Sequence, residues 1–211
     1  MTIAVVAMLT ACSMRGVPAT LDPATADTAV RSTMPDRPLR AVFAWEVLDS
    51  RARFAGDGAA RIEPPYHVRL DLFGPRGEGF LSAALVGTEI RLPGEPNAAL
   101  PPPALIWSAL GVVRPPEDAV LQGTREWGGT TELHYATDDG RLRYTLEDGR
   151  LRSVEWRRSS GRMVVELQGH TPGLPASASY RNWANNTELH IELESVEEVE
   201  PYPPEIWTPG R

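Results

Sequence analysis

The residues able to do chemistry are few, and their spacing does not suit it. Four histidines, His67, His134, His170 and His190, fall on four different stretches with no HxH or HxxxH pair. A metal site needs ligands that converge, and histidines this scattered read as solvated surface. Cys12 is the only cysteine, which excludes an internal disulfide and any zinc site that needs two or four cysteines. No serine occupies a G-x-S-x-G elbow, so nucleophilic catalysis lacks a candidate. Gly74, Gly77 and Gly79 lie close together without the Lys-Ser or Lys-Thr of a phosphate loop, and read as a turn. Glu192, Glu194, Glu197, Glu198 and Glu200 read as a solvated edge, with calcium or a basic partner as the alternative. Asn185-Asn186-Thr187 matches a glycosylation acceptor. The expectation is a non-enzyme with no metal and no cofactor.

What remains is apolar. Trp45, Trp107, Trp156, Tyr135 and Tyr144, with Leu70, Leu72, Leu81, Leu85 and Ile106, are the candidate lining of a ligand cavity. Any one of them serves equally well as ordinary core. The chain has 211 residues, 42% of them hydrophobic, enough for one sizeable domain. Its formal charge of -7 is spread along the chain, so nucleic acid, which demands clustered cations, is not an expected partner. Every basic residue is arginine; there is no lysine.

Strands must position these side chains. In residues 61–86, Tyr66, Val68, Leu70 and Leu72 alternate with His67, Arg69 and Asp71, the period of a strand with one dry face. Gly74, Pro75, Gly77 and Gly79 interrupt the run before residues 80–86 resume it, which predicts an antiparallel hairpin. Upstream, residues 39–54 predict one long strand with Phe43, Trp45 and Val47 on one face, turned back at Gly56-Asp57-Gly58. Residues 88–92 predict a short strand. Pro101, Pro102 and Pro103 then introduce the apolar run 104–111, a two-turn helix that must be buried on nearly every side. After a loop at 112–120, residues 131–137, 141–147, 150–156 and 162–168 predict four strands with turn chemistry at Asp139-Gly140, Asp148-Gly149 and Ser160-Gly161. Residues 180–183 and 188–196 complete the sheet, and a proline-rich tail follows in which Tyr202, Ile206 and Trp207 pack down. About ten antiparallel strands with one inserted apolar helix make a mainly β (α+β) domain. A sheet of this size curls, which predicts an unclosed half-barrel with a helical lid and a cavity beneath it.

Residues 2–11 are apolar, too short to span a bilayer, and end in small residues before Cys12. Leu9-Thr10-Ala11-Cys12 resembles the lipobox of bacterial lipoproteins. The resemblance implies a signal peptide over 1–11 and a lipidated Cys12, palmitate among its acyl groups, that anchors the chain in the membrane. No Lys or Arg precedes Cys12, a departure from the usual positive n-region. Ser13 in the position after the cysteine resembles lipoproteins sorted to the outer membrane. Residues 12–38 read as a tether, with a short helix over 22–31 as the alternative because Asp22 can cap it and Pro23 suits a first turn. Residues 39–211 form the domain.

The succession Pro64-Pro65-Tyr66, Arg69-Leu70-Asp71-Leu72-Phe73-Gly74-Pro75, the strand 80–86 and the proline-bounded helix 103–111 resembles the LolA/LolB-like superfamily. It covers roughly residues 39–209. The resemblance implies an eleven-stranded unclosed barrel with a helical lid that binds acyl chains, in a lipid-anchored envelope protein of the outer membrane facing the periplasm. The function it implies is binding of a lipid or lipoprotein acyl chain for transport or outer-membrane insertion. The alternative is a scaffold lipoprotein that uses its sheet edge or acidic tail to hold an envelope protein partner, its groove filled by its own side chains.

Overall fold

The computed structural model describes residues 19–50, 52–94 and 100–209. Cys12 and the signal-peptide stretch lie outside the described residues. Helix α1 (Pro23–Ser32) comes first, then five strands: β1 (Leu39–Leu48), β2 (Arg53–Glu63), β3 (His67–Phe73), β4 (Gly79–Val86) and β5 (Glu89–Arg91). Helix α2 (Pro103–Ala109) separates these from β6 (Val120–Trp127), β7 (Thr130–Thr137), β8 (Gly140–Glu147), β9 (Arg150–Arg158), β10 (Gly161–Gln168), β11 (Ser177–Asn182) and β12 (Thr187–Glu198). A 3₁₀ turn at Pro204–Trp207 ends the described chain.

All twelve strands form one antiparallel sheet in the order β5-β4-β3-β2-β1-β12-β11-β10-β9-β8-β7-β6. Two meanders, β1–β5 and β6–β12, are thus joined where β1 pairs with β12, from Leu39 opposite Glu198 to Leu48 opposite Glu188. The free edges are β5 and β6, and the chain between them carries α2. The sheet curls without closing, as the alternation of its strands and its size require.

Several boundaries differ from the sequence expectation. Residues 39–54 are not one strand: β1 stops at Leu48, and Asp49 makes the turn, its carboxylate accepting from the Ala52 N–H at 2.8 Å. Gly56-Asp57-Gly58 is not a turn but part of β2. Gly58 stands there because a Cβ would strike the Phe43 ring. Strand β6 goes unanticipated, since a bulge between Leu121 and Gly123 breaks its period of two. That bulge accommodates the N-terminal segment: a Cβ at Gly123 would lie 3.0 Å from the Ala19 Cβ.

The tether is corrected as well. Among the described residues of 12–38, Thr20 pairs with Thr124 of β6 through backbone hydrogen bonds of 2.9 and 2.6 Å. The Asp22 carboxylate caps α1, accepting from the N–H groups of Ala24 (3.0 Å) and Thr25 (3.2 Å). Ala26 and Ala29 are buried, and Thr33 Oγ1 accepts from the Val113 N–H at 3.0 Å. The helix docks through alanines, so its thin apolar content concealed it. The tail does pack down: Trp207 is buried and stacks on His67 at 5.3 Å, while Arg69 donates to the Ile206 carbonyl.

The concave face holds two apolar clusters. One, under β7–β11, is filled by Leu133, Tyr144, Val154 and Val165 with Ala26, Ala29 and Leu105 of the helices. The other gathers Phe43, Trp45, Ile62, Val68, Leu85 and Trp107 under β1–β4. Ion pairs run across the convex face. Arg143 bridges Glu132 and Glu155, and Glu155 also meets Arg157 and Arg162. On the other half, Asp71 accepts from Ser82 (2.7 Å), Arg69 (3.1 Å) and Arg61 (2.5 Å).

Two outcomes test this packing. Gly58→Ala should lower stability by about 1–3 kcal/mol in urea denaturation, the cost of overpacking. Gly79→Ala, where nothing lies within 4 Å of a new Cβ, should stay within about 0.5 kcal/mol of the parent. Acid sensitivity is the second. Burial raises the Asp71 pKa, but the hydrogen bonds and charges of Ser82, Arg69 and Arg61 outweigh it and hold the carboxyl below its ordinary value. A depressed acid stabilises fully above its unfolded pKa of ~3.9, and that contribution disappears as pH falls through the lower folded value. Denaturation midpoints should therefore drop below about pH 4, less steeply in Asp71→Asn; identical profiles for the two proteins would contradict the assignment.

Candidate functional site

The β1–β4 cluster does not fill its half of the concave face. A chamber of about 130 Å3 remains between the sheet and α2. Small side chains create it: Ala41 of β1 stands opposite Ala60 of β2, and Ala178 of β11 opposite Ile191 of β12. Around them stand Phe43 and Trp45 of β1, Leu70 and Leu72 of β3, Leu81 of β4, Tyr180 of β11, and Leu189, Ile191 and Leu193 of β12. Leu174, Pro175 and Ala176 of the β10–β11 loop border it, and Leu100, Pro101, Leu105, Ile106, Ala109 and Leu110 cover it. The wall is apolar apart from the hydroxyls of Ser177 and Tyr180. Burial raises the Tyr180 pKa, which keeps the phenol neutral across the physiological range.

Local chemistry fixes the parts. Trp45 donates from Nε1 to the carbonyls of Asp57 (3.0 Å) and Phe73 (3.2 Å), so its polar atom is satisfied by the sheet and its ring is free to form wall. Phe80 packs on that ring at 4.9 Å and on Phe54 at 5.9 Å. Phe54, Phe73 and Phe80 are exposed, which carries the apolar surface from Trp45 to the outside at that end of the sheet. Helix α2 is only seven residues long and has no side-chain cap at Pro102. Its anchor is Trp107, fully buried, whose Nε1 donates to the Gly87 carbonyl at 2.7 Å beyond β4, with its ring edge-on to Tyr66. On its other side α2 lies against β9, β10 and β11. The helix therefore spans the gap between the two arms of the open sheet.

Of the ten side chains proposed as lining, Trp45, Leu70, Leu72, Leu81 and Ile106 meet around the chamber. Leu85 is buried in the same cluster without bordering the space. Trp107 is the helix anchor and points away from it. Tyr135, Tyr144 and Trp156 belong to the filled half, where Tyr135 and Tyr144 meet edge-on at 6.0 Å. Burial pushes the Tyr135 hydroxyl up to about 12, and raises that of Tyr144 well above its ordinary value. Phe43 and Tyr180 were missed, although Phe43 shares the strand period of Trp45. The alanines at 41, 60, 109 and 178 carry no sequence signal of a void. The histidines stay apart: His134 meets Glu132 at 3.0 Å, His190 meets Glu188 at 3.8 Å, and His67 lies on Trp207. Among the described residues, no group of three His, Cys, Asp or Glu could hold a metal ion.

No family model matches the sequence, and no curated protein does. Solved structures do match. A LolA superfamily protein from Nitrosomonas europaea superimposes with a TM-score of 0.59 at 11% identity, over 87% of this chain and 97% of that one. A putative outer membrane lipoprotein-sorting protein domain from Vibrio parahaemolyticus gives 0.54 at 8% identity, over 86% and 94%. A DUF1329 family protein from Desulfovibrio piger gives 0.51 at 9% identity, over 90% and 98%. Over most of its length the chain thus has a LolA/LolB-like fold.

Proposed function

We propose that this protein binds the acyl chain of a lipid or lipoprotein in the chamber beneath α2, as a carrier or receiver of that chain in a bacterial envelope. The observation that carries the reading is the unfilled space of about 130 Å3 walled by apolar side chains and covered by an apolar helix. A wall of this kind carries no charge, and its affinity comes from removing hydrocarbon from water. The fold shared with a lipoprotein-sorting domain supports the same reading. So does the lipobox at Leu9-Thr10-Ala11-Cys12, through which the chain would be lipid-anchored at Cys12, at the outer membrane facing the periplasm. No helix among the described residues is long and apolar enough to cross a membrane. The scaffold alternative required a groove filled by the protein's own side chains, whereas the space beneath α2 is left unfilled by them.

Volume sets the mode of binding. A cavity of ~150 Å3 admits one benzene, so the chamber of about 130 Å3 takes about six carbons. At ~0.8 kcal/mol per methylene these contribute about 5 kcal/mol, near the lower end of the ~4–15 kcal/mol that association costs. A longer chain would extend beyond this space, past its open side or under a raised α2.

Native mass spectrometry of the protein purified from a bacterial host should show a fatty-acid or phospholipid adduct. Ile106→Glu, which puts a carboxylate in the wall, and Ala109→Trp, which fills the space, should each abolish it. A bare polypeptide mass after incubation with lipids would overturn the reading. Acyl ligands should also change tryptophan emission through Trp45. Trp45→Phe should remove the saturable change and Trp107→Phe should keep it; the reverse pattern would place the ligand elsewhere.

A further inference from the structure

The apolar chamber has a polar neighbour. A second cleft, of about 480 Å3, opens at the end of the sheet where β1 and β9 begin and β10 and β12 finish. Ser32 at the end of α1 and residues 33–37 after it, Arg150 and Arg152 of β9, His170 of the β10–β11 loop, and Glu197 and Glu198 of β12 form its walls. Pro175 lines both spaces, and Gly111 of the cleft directly follows Leu110 of the chamber.

Charge in the cleft is divided by side. On the β12 side, Glu198 pairs with Arg37 at 2.9 Å and Glu197 with Arg40 at 2.5 Å. Asp36, on the α1–β1 connection, is a lining carboxylate outside those pairs. On the β9 side, Arg152 meets Glu147 at 2.9 Å at the neighbouring turn, while Arg150 has no ion pair among the described residues. His170 stands beside both arginines. Burial first, then the charges of Arg150 and Arg152, hold its pKa below the ordinary value, so the ring is neutral at pH 7 and still has an N–H to donate. Two cations and a neutral imidazole on one wall, with the imidazole four residues along the loop from the chamber-lining Leu174, suit a ligand with an anionic head and a hydrocarbon chain.

We infer that the cleft holds the anionic head, a carboxylate or phosphate, of the amphiphile whose chain occupies the chamber, with Arg150 and Arg152 as its cationic contacts and the chain passing Pro175. This rests on the acyl-binding reading and adds the polarity and direction of the ligand to it. Guanidinium groups are the side chains best matched to either oxyanion.

Binding of three probes below their micellar concentrations tests it, using the full chain and isothermal titration: oleate, 1-oleoyl lysophosphatidic acid and the uncharged monoolein. Wild type should bind at least one anionic probe about tenfold or more tightly than monoolein, and the larger gain identifies carboxylate or phosphate as the head. Added salt should reduce that advantage. Arg150→Glu/Arg152→Glu should abolish it while leaving monoolein affinity unchanged, and Arg150→Gln should fall between. Equal affinity for all three probes, or loss of monoolein binding in the double variant, overturns the head-group site while the chamber stands. Failure of all three to bind wild type overturns the chamber and the head-group site together.

Discussion

The ladder between β1 and β12 joins two meanders that would otherwise be separate sheets. Backbone N–H and C=O groups along a strand demand partners, and this junction satisfies them in the middle of the sheet. Its consequence is that the two unpaired edges lie at β5 and β6, the two ends of the strand order. β5 is only three residues long, which limits what it exposes, and β6 is partly covered by Thr20. Helix α2 sits in the connection between these edges because the chain has to cross there. The cover over the concave face is therefore a product of strand order as much as of helix propensity.

The two halves of that face are finished differently. Under β7–β10, tyrosines, leucines and valines meet two helices in one buried cluster. Under β1–β4, β11 and β12, alanines stand where larger residues would close the gap, and Trp45 contributes its ring after the sheet has satisfied its indole nitrogen. The same curled sheet thus carries a packed side that supplies rigidity and a thinly filled side that can admit a guest. The convex face contributes charge ladders, Arg143-Glu155-Arg162 on one half and Arg61-Asp71-Arg69 on the other, which keep that surface wet and soluble.

How far the sequence revealed this depends on which physical signal each part emits. Strands β7–β10 were legible because side chains such as Leu142, Tyr144 and Leu146 alternate cleanly and turn residues punctuate them. The lid was legible from its prolines and its apolar run. Strand β6 was hidden because its bulge shifts the period, and the β1–β2 turn was misplaced because glycines in β2 serve close packing against Phe43 rather than a turn. Helix α1 was underweighted because alanines bury little area each. For the site, aromatic type could not say which face of a helix or which half of the sheet a residue would occupy. Trp45 and Trp107 look alike in sequence, yet one borders the chamber and the other anchors α2 to Gly87. The void itself is made by what the alanines omit, and an omission leaves no pattern to read.

The β1–β12 junction also orders events in time. Hairpins within each meander close over short loops, whereas Leu39 must find Glu198 across most of the chain, so the entropy of loop closure places this pairing late in folding. Until it forms, β1 and β12 are bare edges flanked by Phe43, Trp45, Leu189 and Ile191, the kind of surface that recruits other chains. The chamber shares that delay, because β1–β4 supply one part of its wall and β11 and β12 the other. The nascent protein must therefore shut its own seam before the chamber exists, and a guest held there, bridging both meanders, would keep the seam from reopening.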